Sequence, residues 1–195
     1  MNLHLAETFS GKKGCQHEEE LGAFIEILKS ENVKSYLEIG SRYGDSLHKI
    51  GMALPEGSRI VSVELADALW GKPGSRDYLD RVASDLCKAG RETEVIWGDS
   101  RSPLVIANVL RLGPFDACLI DGDHTIEGAV SDWINYGPMS KIVAFHDIVA
   151  RKAHDGRSGR KVDVPWVWDA LKRRYQHKEL VGPSSPMGIG VLWRA

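Results

Sequence analysis

Short apolar runs alternate with segments of helical periodicity through most of the chain, and this alternation limits the possible folds more than any other feature. The runs predict seven strands, which cover Ser35–Ile39, Arg59–Val63, Glu94–Trp97, Phe115–Ile120, Ile142–Phe145, Glu179–Val181 and Ile189–Trp193. Helical spacing of apolar residues predicts helices over Gln16–Asn32, Asp45–Leu54, Arg76–Ala89, Leu104–Leu112 and 126–136, with a last helix from Pro165. This order of elements predicts an α/β fold with a mostly parallel sheet, helices on both faces and an antiparallel pair at the C-terminal edge.

The sequence shows no boundary between two domains. At 195 residues the chain can bury one sizeable core, so we expect a single domain over 1–195. Residues 1–34 are expected to form a helical extension at the N-terminus. Residues 149–163 are a candidate lid loop, because two glycines and five basic side chains directly follow a predicted strand there.

Charge and apolar patterning exclude several classes of partner. The formal net charge of −2 provides no global attraction to nucleic acid or to anionic lipid. The apolar runs are far shorter than the ~20 residues needed to span a bilayer. The three cysteines are widely spaced and match no metal-binding pattern, so we expect small buried thiols in a reducing compartment. We therefore expect a cytoplasmic protein without a membrane or nucleic-acid partner, and oligomerisation stays open.

Polar and ionisable residues follow five of the predicted strands. In a doubly wound sheet, ligands bind outside the carboxyl ends of the strands, near the point where the strand order reverses. The series along the chain consists of the turn Glu38–Gly44, Glu64, the pair Asp99 and Ser100, the turn Asp121–His124, and the pair His146 and Asp147. We expect these residues to share one edge of the sheet.

The turn from Gly40 to Gly44 differs from a dinucleotide-binding fingerprint. That fingerprint has a middle glycine, which lets the backbone approach a pyrophosphate, whereas this chain has Arg42 there. Asp45, which we expect to cap the next helix, would also repel phosphate. No Gly-Lys-Ser/Thr sequence follows the turn, so a Walker loop is excluded. The turn favours a ligand without phosphate over NAD, with a pair of ordinary turn glycines as the alternative.

Two acids at later strand ends fit a nucleoside. Glu64 lies about two dozen residues after Gly40, where a carboxylate can accept hydrogen bonds from both ribose hydroxyls. Asp99 can accept a hydrogen bond from an exocyclic adenine amine. The alternatives are a solvated acid at Glu64 and a helix N-cap at Asp99. An adenosine that carries a positive charge fits this acidic rim.

These motifs resemble those of the class I S-adenosylmethionine-dependent methyltransferases. EIGSRYG is similar to that family's acidic-x-Gly-x-x-x-Gly motif, and FDACLIDGDHTIEGAVSDW followed by IVAFHDI resembles the branch of cephalosporin-hydroxylase-like proteins and macrolide sugar O-methyltransferases. The resemblance spans about Ser35 to Leu171. It implies a single-domain Rossmann-like methyltransferase fold and methyl transfer from S-adenosylmethionine to an oxygen of a small hydroxylated acceptor. The cofactor-binding residues that it implies are Glu38, Gly40, Ser41, Gly44, Glu64, Asp99, Ser100 and Asp121.

The same resemblance implies roles for the last two turns. It makes His124 the general base and makes Asp121, His146 and Asp147 the ligands of a divalent metal, Mg²⁺ or Mn²⁺. Relatives often have two acids at the position of the His146–Asp147 pair, and imidazole suits Mn²⁺, Fe²⁺ or Zn²⁺ better than Mg²⁺. Independently, two carboxylates and two histidines at neighbouring strand ends are able to converge. A site without metal stays open, as do purely structural roles for the two histidines.

Two other functions stay open at this point. A NAD-dependent oxidoreductase would use the same fold, but Arg42 and Asp45 disfavour it. A protein that binds S-adenosylmethionine or a metal without catalysis would carry the same strand-end residues.

Overall fold

The sheet has the mixed topology that the sequence predicts. A computed structural model of the chain describes residues 16–65, 75–151, 153 and 154, 159–183 and 185–194. Its strands are β1 (Ser35–Ile39), β2 (Arg59–Glu64), β3 (Glu92–Trp97), β4 (Phe115–Ile120), β5 (Ser140–His146), β6 (Gln176–Leu180) and β7 (Ile189–Trp193). They form one sheet in the order β3-β2-β1-β4-β5-β7-β6. The first five strands run parallel, and β7 is antiparallel to both β5 and β6.

Helices cover both faces of this sheet. In the described residues they are α1 (Glu18–Ser30), α2 (Asp45–Ala53), α3 (Ser75–Lys88), α4 (Pro103–Leu112), α5 (Ile126–Tyr136) and α6 (Val164–Leu171). One buried apolar cluster joins α1, α2 and α3 to one face through residues such as Leu28, Leu47 and Leu86. A second cluster joins α4, α5 and α6 to the other face. None of the described helices has the length and apolar character needed to cross a membrane.

The strand order reverses between β1 and β4, and this reversal creates a crevice. The chain leaves β1 toward β2 and β3 and then returns to place β4 on the other side of β1. Ile39 pairs with Ile120 in register, and the Asp121 N–H donates to the Ile39 carbonyl at 2.9 Å. The loops that follow β1 and β4 therefore diverge from adjacent points, which is where open α/β sheets bind ligands.

Two local expectations from the sequence are wrong. Gly44, in a left-handed conformation, is the N-cap residue of α2, so Asp45 is the first residue of the helix and not its N-cap. A side chain at Gly44 would place its Cβ 2.9 Å from the Leu79 side chain, so close packing requires glycine here. Among the cysteines, Cys118 is buried as expected but Cys87 is exposed. Cys15 lies outside the described residues.

The candidate lid is anchored near both of its ends. Ala150 and Val162 are buried, and the Val162 N–H donates to the Ala153 carbonyl at 3.0 Å. Asp163 then donates its N–H to the His124 carbonyl at 2.8 Å, which ties the segment to the loop after β4. Lys152 and residues 155–158 of the candidate lid lie outside the described residues, as do residues 1–15 of the N-terminal extension.

Candidate active site

A cavity of about 660 Å³ opens at the carboxyl ends of the parallel strands. Most of the residues predicted from the sequence line it, namely Gly40, Ser41, Glu64, Asp99, Ser100, Asp121, His124, His146 and Asp147. Glu38 and Gly44 are outside this lining. The volume falls within the range of small-molecule and cofactor sites.

Glu38 lies beneath the cavity and holds its floor together. Its carboxylate has no exposed surface and accepts hydrogen bonds from Tyr36 Oη at 2.7 Å and Ser46 Oγ at 2.8 Å. Burial raises the pKa of Glu38 to about 7, although these hydrogen bonds oppose the rise. The carboxylate thus joins β1 to the first turn of α2, and protein groups occupy both of its oxygens.

The turn after β1 brings the backbone close to the loop after β4. Gly40 has a φ of +92°, and a Cβ built on it would lie 2.2 Å from the Asp121 carbonyl oxygen. Only glycine fits this crossing. Arg42 also has a positive φ, of 51°, and its N–H donates to Glu64 Oε2 at 2.6 Å. Arg42, the residue that distinguishes this turn from a dinucleotide-binding fingerprint, therefore directs its backbone N–H toward Glu64 at the end of β2.

Glu64 is a buried acid on the cavity wall. Its relative exposure is 6%, so the alternative of a solvated acid is wrong. Burial raises the pKa of Glu64, while hydrogen bonds from the backbone of Arg42 and Leu65 oppose the rise. The backbone hydrogen bonds keep the carboxylate in place beside the cavity, where it is able to accept hydrogen bonds from a ligand's hydroxyls.

Asp99 lies at the open side of the cavity and pairs with Arg101. Asp99 Oδ1 accepts hydrogen bonds from the Arg101 N–H at 2.9 Å and from its Nε at 3.1 Å. The hydrogen bond from the Arg101 side chain lowers the pKa of Asp99, against a small opposing effect of burial. The N-cap residue of α4 is Ser102, so the alternative role of Asp99 as that N-cap is wrong.

Four ionisable side chains from the end of β5 and from the loops after β4 and β5 come together, and we call them the His–Asp cluster: Asp121, His124, His146 and Asp147. Asp121 Oδ1 lies 3.0 Å from His146 Nδ1 and 3.3 Å from His124 Nε2. The other nitrogen of His124, Nδ1, lies 3.1 Å from Asp147 Oδ2. Carboxylates thus face both ring nitrogens of His124.

Charge pairing controls ionisation within the cluster. Burial acts to raise the pKa of Asp121, but the His146 and His124 imidazoles hold it well below its usual range. Burial acts to lower the pKa of His146, but Asp121 and then Asp147 raise it above its ordinary value. Asp121 is therefore a carboxylate at neutral pH, and His146 holds a proton more tightly than an isolated histidine.

The cluster as arranged does not fit a bound cation. Across the described part of the chain, no group of three or more His, Cys, Asp or Glu side chains is placed to hold a metal ion. Asp121 Oδ1 faces two imidazoles, while its Oδ2 accepts a hydrogen bond from Gln16 Nε2 at 2.9 Å. Both nitrogens of His124 and Nδ1 of His146 are likewise directed at carboxylates, whereas the buried Nε2 of His146 has no hydrogen-bond partner among the described residues.

Several cavity residues carry no recognisable signal in the sequence. Gln16 contacts Asp121 across 105 positions of the chain, and only the packing of α1 reveals that contact. Lys49 of α2, Arg160 of the candidate lid and Met187 of the β6–β7 connection also line the cavity. Of these, Arg160 belongs to the basic segment that the sequence indicated.

Comparisons with known proteins agree with this geometry. A family model described as a methyltransferase domain matches residues 37–148. An O-methyltransferase from Bacillus cereus, solved in complex with SAH, is 16% identical with a TM-score of 0.67, over 98% of this chain and 88% of that chain. TomG, an O-methyltransferase from Streptomyces achromogenes involved in tomaymycin synthesis and solved with SAM, is 19% identical with a TM-score of 0.67, over 99% and 88%. The SAH-bound methyltransferase PaMTH1 from Podospora anserina is 16% identical with a TM-score of 0.68, over 100% and 89%.

At these identities the solved structures establish the fold alone, and a search of curated protein sequences gave no significant match. The family model is more informative because it covers more than half of the chain. The matched region runs from β1 through β5 and contains Glu64, Asp99 and the whole His–Asp cluster. The chain therefore belongs to the methyltransferase family that this model describes.

Proposed function

We propose that this methyltransferase transfers the methyl group of S-adenosylmethionine to an oxygen of a small hydroxylated acceptor. The observation that carries the proposal is the buried Glu64 carboxylate at the end of β2, which the Arg42 N–H holds on the wall of the cavity. Membership of the methyltransferase family supports it. So do two structures of the same fold, which were solved in complex with SAH and with SAM.

Each part of the cofactor has a matching group in the cavity. Glu64 accepts hydrogen bonds from the ribose hydroxyls, and Asp99 accepts one from the adenine amine. Gly40 lets the cofactor approach the backbone closely, with Ser41 and Ser100 beside it. The negative charge of Asp121 favours the cationic end of the cofactor.

The chemical step is a displacement at the methyl carbon. A lone pair of the acceptor oxygen forms the new C–O bond as the C–S bond breaks, and the electron pair of that bond stays on sulfur to give the neutral thioether. The acceptor's proton goes to His124. Because the sulfonium is already activated, the enzyme mainly aligns the reacting atoms and accepts this proton. Asp121 and Asp147 flank the His124 ring and stabilise the imidazolium that forms.

The metal implied by the resemblance is a separate question with its own test. The mutual pairing in the His–Asp cluster favours a reaction in which His124 acts without a cation. Full turnover after exhaustive chelation would support that version, with His146 as the rival base. Loss of turnover that Mg²⁺ or Mn²⁺ restores would instead support ligation by Asp121, His146 and Asp147.

Direct binding measurements test the cofactor. Titration calorimetry should detect binding of S-adenosylmethionine and of its demethylated product, with much weaker binding of NAD. Mass spectrometry of ligand retained by the purified protein gives an independent answer, because an adenosine-containing sulfonium or thioether has a distinctive mass. NAD bound as tightly as S-adenosylmethionine would contradict the proposal. The cytoplasmic location remains a prediction from the cysteine pattern, to be tested by fractionation.

A further inference from the structure

Asp132 is a fully buried carboxylic acid on α5, and the chemistry proposed above leaves it without a role. It has no exposed surface. Its Oδ1 accepts a hydrogen bond from Ser100 Oγ at 2.7 Å, while Oδ2 has no hydrogen-bond partner among the described residues. A buried carboxyl with an unfilled oxygen costs stability, and an apolar side chain of similar size would stabilise the core better. Stability of the core therefore does not account for an acid at this position.

The two oxygens of Asp132 face two different loops of the cavity. Oδ1 holds Ser100, which belongs to the loop after β3. Oδ2 lies beneath the loop after β4, where a Cβ built on Gly122 would be 3.2 Å from it. One turn further along α5, the Tyr136 hydroxyl donates to the Ser100 carbonyl. Helix α5 thus holds Ser100 by both its side chain and its backbone.

Ser100 and Gly122 both line the cavity, and each is next in sequence to an acid that faces it. Asp99 precedes Ser100, and Asp121 precedes Gly122. A shift of either loop would change the spacing between these two acids. The Asp132 side chain lies beneath the loops after β3 and β4 and is close to both.

We propose that Asp132 is a positioning residue, which fixes the loops after β3 and β4 so that Asp99 and Asp121 face an adenosine-containing ligand at the correct spacing. The inference rests on the proposed function, since that function identifies the ligand. Asp132 does not touch the ligand. It acts through Ser100 and Gly122.

Asparagine is the conservative replacement at this position. Burial raises the pKa of Asp132 to about 7, with the Ser100 hydrogen bond opposing the rise and the nearby Asp123 adding to it. At neutral pH the protonated and ionised forms of this side chain are therefore both present. Asparagine keeps the shape and an oxygen for Ser100, whereas leucine keeps the branching with more bulk and removes the acceptor.

The test compares Asp132→Leu and Asp132→Asn by calorimetry with S-adenosylmethionine, by thermal unfolding, and by hydrogen exchange of the ligand-free protein. Asp132→Leu should bind the cofactor about tenfold more weakly, because Ser100 loses its acceptor. Its melting temperature should stay equal or rise, and the amides of 98–102 and 121–125 should exchange faster. Asp132→Asn should bind within about twofold of the wild type. Glu127→Gln is the matched control, because it removes an exposed carboxylate from the same helix.

The possible outcomes separate the two proposals. Unchanged affinity in Asp132→Leu overturns the positioning role. A fall in affinity together with a fall in melting temperature, neither restored by asparagine, also overturns it, because Asp132 would then be structural only. If the wild type does not bind S-adenosylmethionine, the proposed function fails, and the exchange data still decide whether Asp132 holds the two loops: unchanged exchange in Asp132→Leu overturns that claim too.

Discussion

The two sides of the cavity enclose their acids in opposite ways. On the side assigned to the cofactor, Glu38 and Glu64 are surrounded by hydroxyl and backbone N–H donors, and burial raises the pKa of each. In the His–Asp cluster, Asp121 is enclosed too, with 16% of its side chain exposed, but two imidazoles hold its pKa below its usual range. Burial of these acids is thus accompanied by pKa shifts in opposite directions, because the groups around them differ.

This difference separates binding from proton transfer. Neutral donors leave Glu64 an oriented acceptor for the hydroxyl groups of a ligand. The His–Asp cluster instead places imidazoles, which can accept and release a proton, beside fixed negative charge, as proton transfer requires. Mutation of Glu64 should therefore change affinity for the cofactor, whereas mutation in the His–Asp cluster should change turnover.

The largest effect is expected from His124→Ala. Loss of the proposed base should lower turnover by ~10²-fold or more, which is the contribution typical of general base catalysis. Affinity for S-adenosylmethionine should stay within about twofold, which calorimetry measures. His177→Ala, an exposed histidine outside the cavity, is the matched control. Undiminished turnover in His124→Ala would remove the base assignment.

Glu64→Ala should change affinity for the cofactor. Removal of the carboxylate deletes charge-assisted hydrogen bonds worth about 1.5–3 kcal/mol, so S-adenosylmethionine should bind about tenfold to a hundredfold more weakly. Glu64→Gln keeps an acceptor for the Arg42 N–H and should lose less affinity than Glu64→Ala. If Glu64→Ala binds the cofactor as well as the wild type does, Glu64 does not hold the ribose.

The raised pKa of Glu38 predicts a pH-dependent stability. Its folded value of about 7 lies above the unfolded value of 4.5, so its favourable contribution is present below about pH 4.5 and is lost as the pH rises toward 7. Glu38→Gln cannot titrate. The free energy of unfolding of this variant relative to the wild type should rise between pH 5 and pH 8, by on the order of 2–3 kcal/mol. Urea unfolding measures it, and a difference independent of pH would contradict the burial argument.

Sequence patterns predicted the fold well wherever burial imposes a pattern. The bounds of β1 and β4 are those predicted, because both strands are buried over most of their length and lie inside the sheet. β6 was expected over Glu179–Val181 but covers Gln176–Leu180, since its first four residues are exposed and polar at the sheet edge. An edge strand of this kind carries no apolar signal.

The candidate site also contains residues that the sequence could group and contacts that it could not. Residues at the carboxyl ends of parallel strands are brought together by topology alone, so the sequence was sufficient to group the four members of the His–Asp cluster. Contacts that depend on how helices pack could not be predicted from the sequence. Asp132 occupies a helix position that reads as an ordinary polar residue, and Gln16 reaches Asp121 only through the placement of α1.

The smallest expected effect concerns Asp99, the exposed counterpart of Glu64. Its side chain is 44% exposed and already paired with Arg101, so a hydrogen bond to the adenine amine adds little. Asp99→Ala should weaken S-adenosylhomocysteine binding about twofold to tenfold. The inosine analogue of this ligand lacks the amine and should bind the wild type and the variant almost equally. Calorimetry with both ligands therefore separates direct contact from loop placement: equal weakening for both would mean that Asp99 acts through Arg101 and the loop, and not on the amine.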